Sequence, residues 1–454
     1  MPYDQARRKM IRDCMKEQED HAGGKDKLPQ EKLVVQGRAQ REPVYRMRLE
    51  DLAFNKANGR IKAEVLEKEA ELGRFLEPSS RDDQEIINKM LLEIRPDENE
   101  KISEDLKKYG QQRPGIITCD GILINGNRRK AILGELAKAH GDKFKYMDVQ
   151  VLPSDISKSE LWLIEAGIQL STPQQLDYSP INHLLKLREG IDSGLDIAEM
   201  SARIYGVSKE KIESDLARLD LIDEYLSDFL EKPNCYYLVK QLSEHFINLQ
   251  NILSWADKPR GVPMNWKPDK SDRTELKLVA FYYIRLRFPH LRIRELRDLF
   301  ATEESWNEVK RALEIDAQLT EEEKEALGLG ENAKEKEVEP IDENGSDVGA
   351  DTSTFRTTAE DKDIQEEACW REKHSENLKS FYEDAKEQKQ IVKDSQRPLA
   401  LAKRALNMIK AIPLDRKKLT EPEIDDVLHD IILSTNELRK LLQKQRVKKN
   451  RPQK

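Results

Sequence analysis

The chain has 454 residues and a formal net charge of −8, and its charged residues (36%) nearly equal its hydrophobic ones (37%). That balance leaves little core per residue and favours several domains with much exposed helix over one compact enzyme. No apolar run long enough to cross a bilayer and no secretory leader is read, so the expectation is a cytoplasmic protein without membrane contact. The four cysteines have neither disulfide-framework nor zinc spacing, and the seven histidines show no ligand pattern.

Residues 1–40 are polar, with a basic Arg7-Arg8-Lys9 and a Gly23-Gly24-Lys25 break, and read as an amphipathic helix followed by a mobile linker. Arg48-Leu49-Glu50-Asp51-Leu52 reads as an opening strand, with Asn55 and Arg60 after it. Between Lys62 and Pro96 the apolar positions Leu66, Leu72, Phe75, Leu76, Ile86, Ile87, Leu91 and Leu92 fit a helical pair. Ile102 to Gly110 reads as a short amphipathic helix closed by glycine, and Gln111 to Thr118 enters a strand.

The next stretch carries the most chemical information. The apolar run Gly121-Ile122-Leu123-Ile124-Asn125 meets Gly126-Asn127-Arg128-Arg129 and turns at once into a helix running from Lys130 to His140. Such a turn places backbone N–H groups and two guanidiniums at a helix N-terminus, an arrangement suited to phosphate oxygens. Gly126 lets the backbone approach closely without a Cβ in the way. The plainer reading is a solvated arginine pair at a helix start. The strand Met147 to Leu152 comes next, then Asp177-Tyr178-Ser179-Pro180 opens another helix.

In this order, helix, strand, Gly-x-Arg-Arg turn, helix, strand and Asp-x-x-Pro helix, the chain resembles the N-terminal domain of the ParB family of chromosome and plasmid partition proteins. The resemblance implies an α+β fold: a small mixed-sheet ParB/sulfiredoxin-like domain over 41–175, with the helical pair at 62–96 as an insertion. It further implies a nucleoside triphosphate, CTP or ATP, bound with Mg2+, its phosphates held by Gly126, Asn127, Arg128 and Arg129 with Arg60 completing the cleft. Family members carry a Glu-Asn-x-Gln-Arg segment for the metal and phosphates. Here Ile164-Glu165-Ala166-Gly167-Ile168-Gln169-Leu170 matches it only with a one-residue slip, and Leu170 stands where the arginine should be. Glu165 is the best match for a magnesium ligand or catalytic carboxylate, and Gln169 for a nucleotide contact. Sulfiredoxin, of the same fold, needs a cysteine after the turn glycine; Asn127 there argues against sulfur chemistry.

A second part of the family pattern occupies 176–230. Leu195 to Tyr205 reads as a helix, Gly206-Val207 as a turn, and Ser208 as the N-cap of a helix from Lys209 to Leu219, a helix-turn-helix pattern. Any helical hairpin produces the same pattern, and Glu210, Glu213 and Asp215 cancel the charge of Lys209, Lys211 and Arg218. DNA contact is therefore assigned to Ser208, Lys209, Lys211, Ser214 and Arg218, with docking on a protein as the other reading. The resemblance covers roughly residues 45 to 230.

The remainder is read from composition. Residues 231–318 form a helical middle domain in which Phe281 to Phe288 interleave aromatics with arginines, a mixture that stacks bases or, more simply, lines a core. An acidic linker spans 319–367. A C-terminal helical hairpin with a basic tail fills 368–454, with a helix break at Pro413 and a capping box at Thr420-Glu421-Pro422-Glu423. Partition proteins dimerise through a C-terminal domain, so the resemblance implies a homodimer here and protein partners beside DNA. The functional expectation is a DNA-associated protein switched by a bound triphosphate, in partition or in a mobile-element modification or defence system. The alternatives are an NTPase, kinase or nuclease of the same fold, and a scaffold with an inactive cleft.

Overall fold

The computed structural model describes residues 4–35, 38–169, 179–204, 206–326, 359–395, 398–412 and 424–449. The described residues are mixed α+β, mostly helical with two small sheets. Asp4 caps α1 (Gln5–Ala22), its Oδ1 accepting from the backbone N–H of Ala6 at 3.0 Å and of Arg7 at 3.1 Å. Gly23 closes the helix in the left-handed conformation. The segment expected as a linker instead folds: β1 (Gln30–Val35) and β2 (Arg38–Pro43) form an antiparallel ribbon with Leu33 and Val35 turned inward. Only two apolar residues carry the alternation in a charged run, which is why the strand signal is weak in the sequence.

The mixed domain continues with five helices and four strands: β3 (Tyr45–Arg48), α2 (Lys62–Leu72), α3 (Arg81–Glu93), α4 (Pro96–Tyr109), β4 (Gly115–Ile117), β5 (Leu123–Asn125), α5 (Asn127–His140), β6 (Tyr146–Val151) and α6 (Lys158–Gln169). The sheet order is β3-β6-β4-β5, with β6 antiparallel to β3 and parallel to β4, and β5 antiparallel to β4. One face is covered by α1, α4 and α5 through Ile11, Leu106, Ile132 and Leu136; the other by the ribbon and α6 through Leu33, Val35 and Ile164. The helical pair expected over 62–96 is α2 and α3, which pack on α5 through Val65, Ile87, Leu91 and Ala131. The opening strand lies earlier than expected, at Tyr45–Arg48, and Leu49–Asp51 forms a 3-10 turn. Pro96 at its first turn starts α4 before Ile102.

Helices α7 (Pro180–Asp192), α8 (Ile197–Arg203) and α9 (Lys209–Glu224) pack on α6 through Trp162, Leu187, Met200 and Ile212. Asp196 and Glu199 form a capping box at α8, and Ser208 caps α9 by accepting from Lys211 N–H at 3.2 Å. Helix α9 runs past its expected end, and Leu219 and Ile222 enter the core of the next body.

That body contains α10 (Ser243–Asp257), α11 (Lys270–Arg285), α12 (His290–Phe300) and α13 (Glu303–Val309), with α14 (Glu321–Ala326) and the long α15 (Ala359–Ser395). Its core includes Phe246, Phe281, Tyr283, Phe300 and Trp306 together with Trp370, Leu378 and Tyr382 of α15. The aromatics of 281–288 are therefore core, and Arg285 is buried in a two-pronged pair with Glu367, Nε to Oε2 at 2.9 Å and an Nη to Oε1 at 2.8 Å. The domain boundary expected at 367/368 falls inside α15, and most of the acidic linker lies outside the described residues. Helices α16 (Pro398–Ala411) and α17 (Ile424–Lys449) end the described chain. Pro413, the capping box at 420–423 and the side chains of the basic tail lie outside the described residues. Among the described residues no helix is long and apolar enough to cross a membrane.

Candidate functional site

The turn between β5 and α5 has the geometry its sequence requires. Gly126 adopts φ 106°, and a Cβ there would fall 2.5 Å from Met147 Cε, so any larger residue is strained by both backbone and packing. The helix starts at Asn127 rather than Lys130; no side chain caps its N-terminus and its first turn holds no acid. Asn127 is buried: its Oδ1 accepts from Asn55 N–H at 2.9 Å and its Nδ2 donates to the Leu123 carbonyl at 2.9 Å. It ties the loop after β3 to the turn.

The two arginines of the turn part company. Arg128 points inward, donating from Nε to Asn99 Oδ1 at 3.0 Å and pairing with Glu98 at 3.1 Å. It fastens α5 to α4 and stands away from a phosphate-holding role, because its guanidinium serves those acceptors. Arg129 instead lies half-buried and donates to the Arg113 carbonyl at 2.5 Å. Burial, and then the guanidiniums of Arg113 and Arg60, push its pKa below the usual arginine value. Arg129 thus stands in the positive field of Arg113 and Arg60 beside the α5 N-terminus, a field that favours an anion with several oxygens. Lys130, one residue on, lies over the Phe54 ring at 3.6 Å and is pushed down to about 8, chiefly by burial.

Arg60 is delivered by a loop of consecutive Asx turns. Asn55 Oδ1 accepts from Ala57 N–H at 2.9 Å, and Asn58 Oδ1 accepts from Arg60 N–H at 3.0 Å. Helix α7 holds the far side of this loop through buried Asn182, which accepts from Ala63 N–H at 2.7 Å and donates to the Arg60 carbonyl at 3.0 Å.

Glu165, expected as a magnesium ligand or catalytic carboxylate, is buried and engaged at both oxygens. Oε1 accepts from Gly59 N–H at 3.2 Å and Oε2 from the fully buried Lys186 ammonium at 2.7 Å, which also reaches Glu189 at 3.0 Å. Burial works to lower the Lys186 pKa, but Glu165 and Glu189 outweigh it and raise it. The carboxylate serves as counter-ion to a buried lysine and supports the loop that carries Arg60. Among the described residues no three His, Cys, Asp or Glu side chains gather as a metal-holding group. Gln169 is the last residue of α6, and its side chain lies outside the described residues.

The residues expected to touch DNA divide by direction. Ser208 and Lys209 are exposed at the start of α9. Lys211 is exposed but pairs with Asp215 at 2.8 Å, and buried Arg218 pairs with the same carboxylate. Ser214 donates to Gln250 Oε1 at 3.4 Å and its carbonyl accepts from Gln250 Nε2 at 2.7 Å, which fixes α9 to α10. Ser214 therefore holds α9 to α10 and Arg218 pairs within α9 on its buried side, so neither presents a reading face. Burial acts to raise Asp215, yet hydrogen bonds from His183 and Lys211 and the charge of Arg218 outweigh it and hold it at about 2.

Arg113, Asn182 and Lys186 are the residues of this candidate site that sequence reasoning missed. Asn182, Lys186 and Glu189 fall at i, i+4 and i+7, one polar row on a helix whose other inward positions are apolar; that row was the available signal. Arg113 directly precedes Pro114 at a strand entrance, which carries no signal of its own. No protein-family model matches the chain, and neither does any curated protein.

Proposed function

We propose that the protein is a ParB-like, DNA-associated protein that binds the phosphates of a nucleoside triphosphate, CTP or ATP, at the N-terminus of α5. The observation that carries this reading is Arg129, tied to the Arg113 carbonyl beside a helix start without an acidic or capping side chain, with the positive charges of Arg113 and Arg60 acting on it. The order of elements from β3 to α9 supports the family reading, with α7 and then a two-helix hairpin with a Gly206 turn and a Ser208 cap following the mixed-sheet domain. The phosphates are assigned to Arg129, Arg60, Arg113 and the first N–H groups of α5, while Asn127 and Arg128 position the turn. No metal-dependent step is derived, because Glu165 is engaged by Lys186 and Gly59.

Transmission to DNA runs through α7. Asn182 bonds the Arg60 loop, and the adjacent His183 places Nε2 3.6 Å from Asp215 of α9. An anion that fixes the loop therefore acts on the helix that presents Ser208, Lys209 and Lys211. A protein-docking role for the α8–α9 hairpin is the second reading, favoured by the mixed charge of the exposed Lys209, Glu210, Lys211 and Glu213. A kinase of this fold needs an available carboxylate. Glu165 and Asp120 both accept bonds already, Asp120 from Asp4 N–H at 3.2 Å and from the Thr118 hydroxyl at 2.5 Å, so no group transfer is proposed.

Fluorescence anisotropy of labelled duplex DNA with the full chain, with and without each of the four ribonucleoside triphosphates, tests the switch. The expected result is a DNA affinity that changes with one or more triphosphates in the wild type and not in Arg129→Ala. Affinity indifferent to every triphosphate overturns the switch, and absence of any DNA binding transfers the hairpin to the protein-docking reading.

A further inference from the structure

A cavity of about 880 Å³ lies between α1, the β1–β2 ribbon and the segments that follow β4 and end β6. Each wall is fastened separately to the sheet domain. Helix α1 is held at its start by Asp4 N–H, which donates to Asp120 Oδ2 at 3.2 Å. Near its end Gln18 donates to the Arg46 carbonyl at 3.0 Å and accepts from Arg46 N–H at 2.9 Å. The ribbon is held by buried Gln150, whose Nε2 donates to the carbonyls of Glu31 at 2.8 Å and Glu42 at 3.2 Å. The space between the walls is thus built into the fold, and a ligand that enters it orders little new structure.

The lining divides by chemistry. Ile11, Met15, Leu33, Val35, Val151 and Leu152 present aliphatic surface. Arg8, Lys9, Arg12 and Lys25 bring positive charge, and Glu42 is the single acid among the described lining residues, already paired with Lys25 at 3.4 Å. Arg12, exposed one turn beyond Arg8 on α1, holds Asp13 only at 3.9 Å. Arg8 also bears on the Cys119 thiol in the cavity wall: burial and then Asp120 raise that thiol's pKa, and the Arg8 charge opposes them. No aromatic ring lines the cavity among the described residues, so no side chain there stacks on a base. Aliphatic surface with a guanidinium edge suits a hydrocarbon body that carries one acidic head.

We propose that this cavity binds an aliphatic carboxylate of fatty-acid type, its chain laid over Leu33, Val35 and Leu152 and its carboxylate at Arg12 in the field of Arg8 and Lys9. The site is independent of the phosphate cluster. The α5 turn adjoins the start of β4, where a Cβ on Gly126 falls 3.5 Å from Gly115 Cα, whereas Cys119 follows the end of the same strand.

Titration calorimetry of the full chain with decanoate tests it, beside octanoate, butyrate and uncharged 1-decanol. Decanoate is expected to bind saturably, octanoate about tenfold more weakly for its two missing methylenes, and butyrate not measurably. Decanol is expected to bind at least tenfold more weakly than decanoate, and Arg12→Glu to lower decanoate affinity tenfold or more while leaving decanol affinity unchanged. Because Arg12 is exposed, the thermal transition of that variant is expected to match the wild type. Position is read by alkylation: mass spectrometry after iodoacetamide treatment is expected to show decanoate slowing modification of Cys119 and not of Cys235, which lies in the helical body. Arg129→Ala is expected to bind decanoate as the wild type does. Absence of decanoate binding overturns the proposal, as do equal affinities for decanoate and decanol, an Arg12→Glu variant that binds decanoate unchanged, or a Cys119 that decanoate leaves unprotected. Displacement of decanoate by tripolyphosphate in the wild type and its loss in Arg129→Ala place the carboxylate at the α5 turn and overturn it equally.

Discussion

Asn182 Nδ2 donates to the backbone carbonyl of Arg60 at 3.0 Å, so α7, the first helix after the mixed-sheet domain, grips the loop that carries Arg60. The same amide donates to Glu64 Oε2 at 3.1 Å, and its oxygen accepts from Ala63 N–H at 2.7 Å. A side chain with no exposed surface thus satisfies three polar groups at the start of α2. Asn182→Ala leaves them unpaired and is expected to cost about 3 kcal/mol or more in urea denaturation, since each of the three orphaned groups carries a desolvation penalty of about 1–3 kcal/mol. It is also expected to weaken triphosphate binding about tenfold by releasing Arg60, a change of about 1.4 kcal/mol. An unchanged affinity detaches α7 from the site.

Gly126→Ala introduces a methyl group into Met147 Cε at 2.5 Å in a backbone of φ 106°. The expected loss is about 2–4 kcal/mol, combining overpacking with left-handed strain. The two causes separate in a double-mutant cycle with Met147→Ala. Space returns and strain does not, so the Gly126→Ala penalty shrinks in the Met147→Ala background without vanishing.

Asp215 gathers His183, Lys211 and Arg218 around one buried carboxylate at the junction of α7 and α9. Its folded pKa of about 2 lies below the ordinary 3.8, so its contribution is complete above about pH 4 and is lost as the pH falls toward 2. Asp215→Asn is expected to cost about 3–5 kcal/mol at neutral pH, because Arg218 stays buried without its counter-charge. The variant is also expected to flatten the stability-versus-pH curve between pH 4 and 2. A wild-type curve already flat in that window contradicts the assignment.

Trp370 of α15 is fully buried among residues of α11 and its neighbours, and its Nε1 donates to the Asp316 carbonyl at 3.0 Å. Trp370→Ala is expected to cost about 3–5 kcal/mol of the helical body's stability. A loss below about 1 kcal/mol, read by the tryptophan-independent far-UV signal, marks α15 as an appendage.

What the sequence makes legible is local. The Gly126 turn, the Ser208 cap and the helical pair at 62–96 arise from conformational freedom, capping chemistry and a 3.6-residue period, all of which act within a few residues. The ribbon at Gln30–Val35 and Arg38–Pro43 is not legible, since its strands read as charged loop until the sheet supplies a surface for Leu33 and Val35. The partition of the arginine pair is also non-local. Arg128 turns inward because Glu98 and Asn99, about thirty positions away, arrive on α4. Glu165 looks like a site acid in a linear reading, and only the approach of Lys186 on α7 makes it a buried counter-ion. Charged residues change role by pairing across the fold, which periodicity does not encode.

Arg129, with Arg60 and Arg113, is assigned as a phosphate cluster at the start of α5, and every functional step proposed for this protein rests on it. Titration calorimetry of the full chain with CTP, ATP, GTP and UTP, beside inorganic tripolyphosphate as a phosphate-only probe, is the decisive measurement. The expected result is saturable binding of at least one triphosphate, competition by tripolyphosphate, and a loss of tenfold or more in Arg129→Ala, about 1.4 kcal/mol or more, while Lys209→Ala binds as the wild type does. Absence of binding for every triphosphate, or binding that Arg129→Ala leaves unchanged, refutes the assignment.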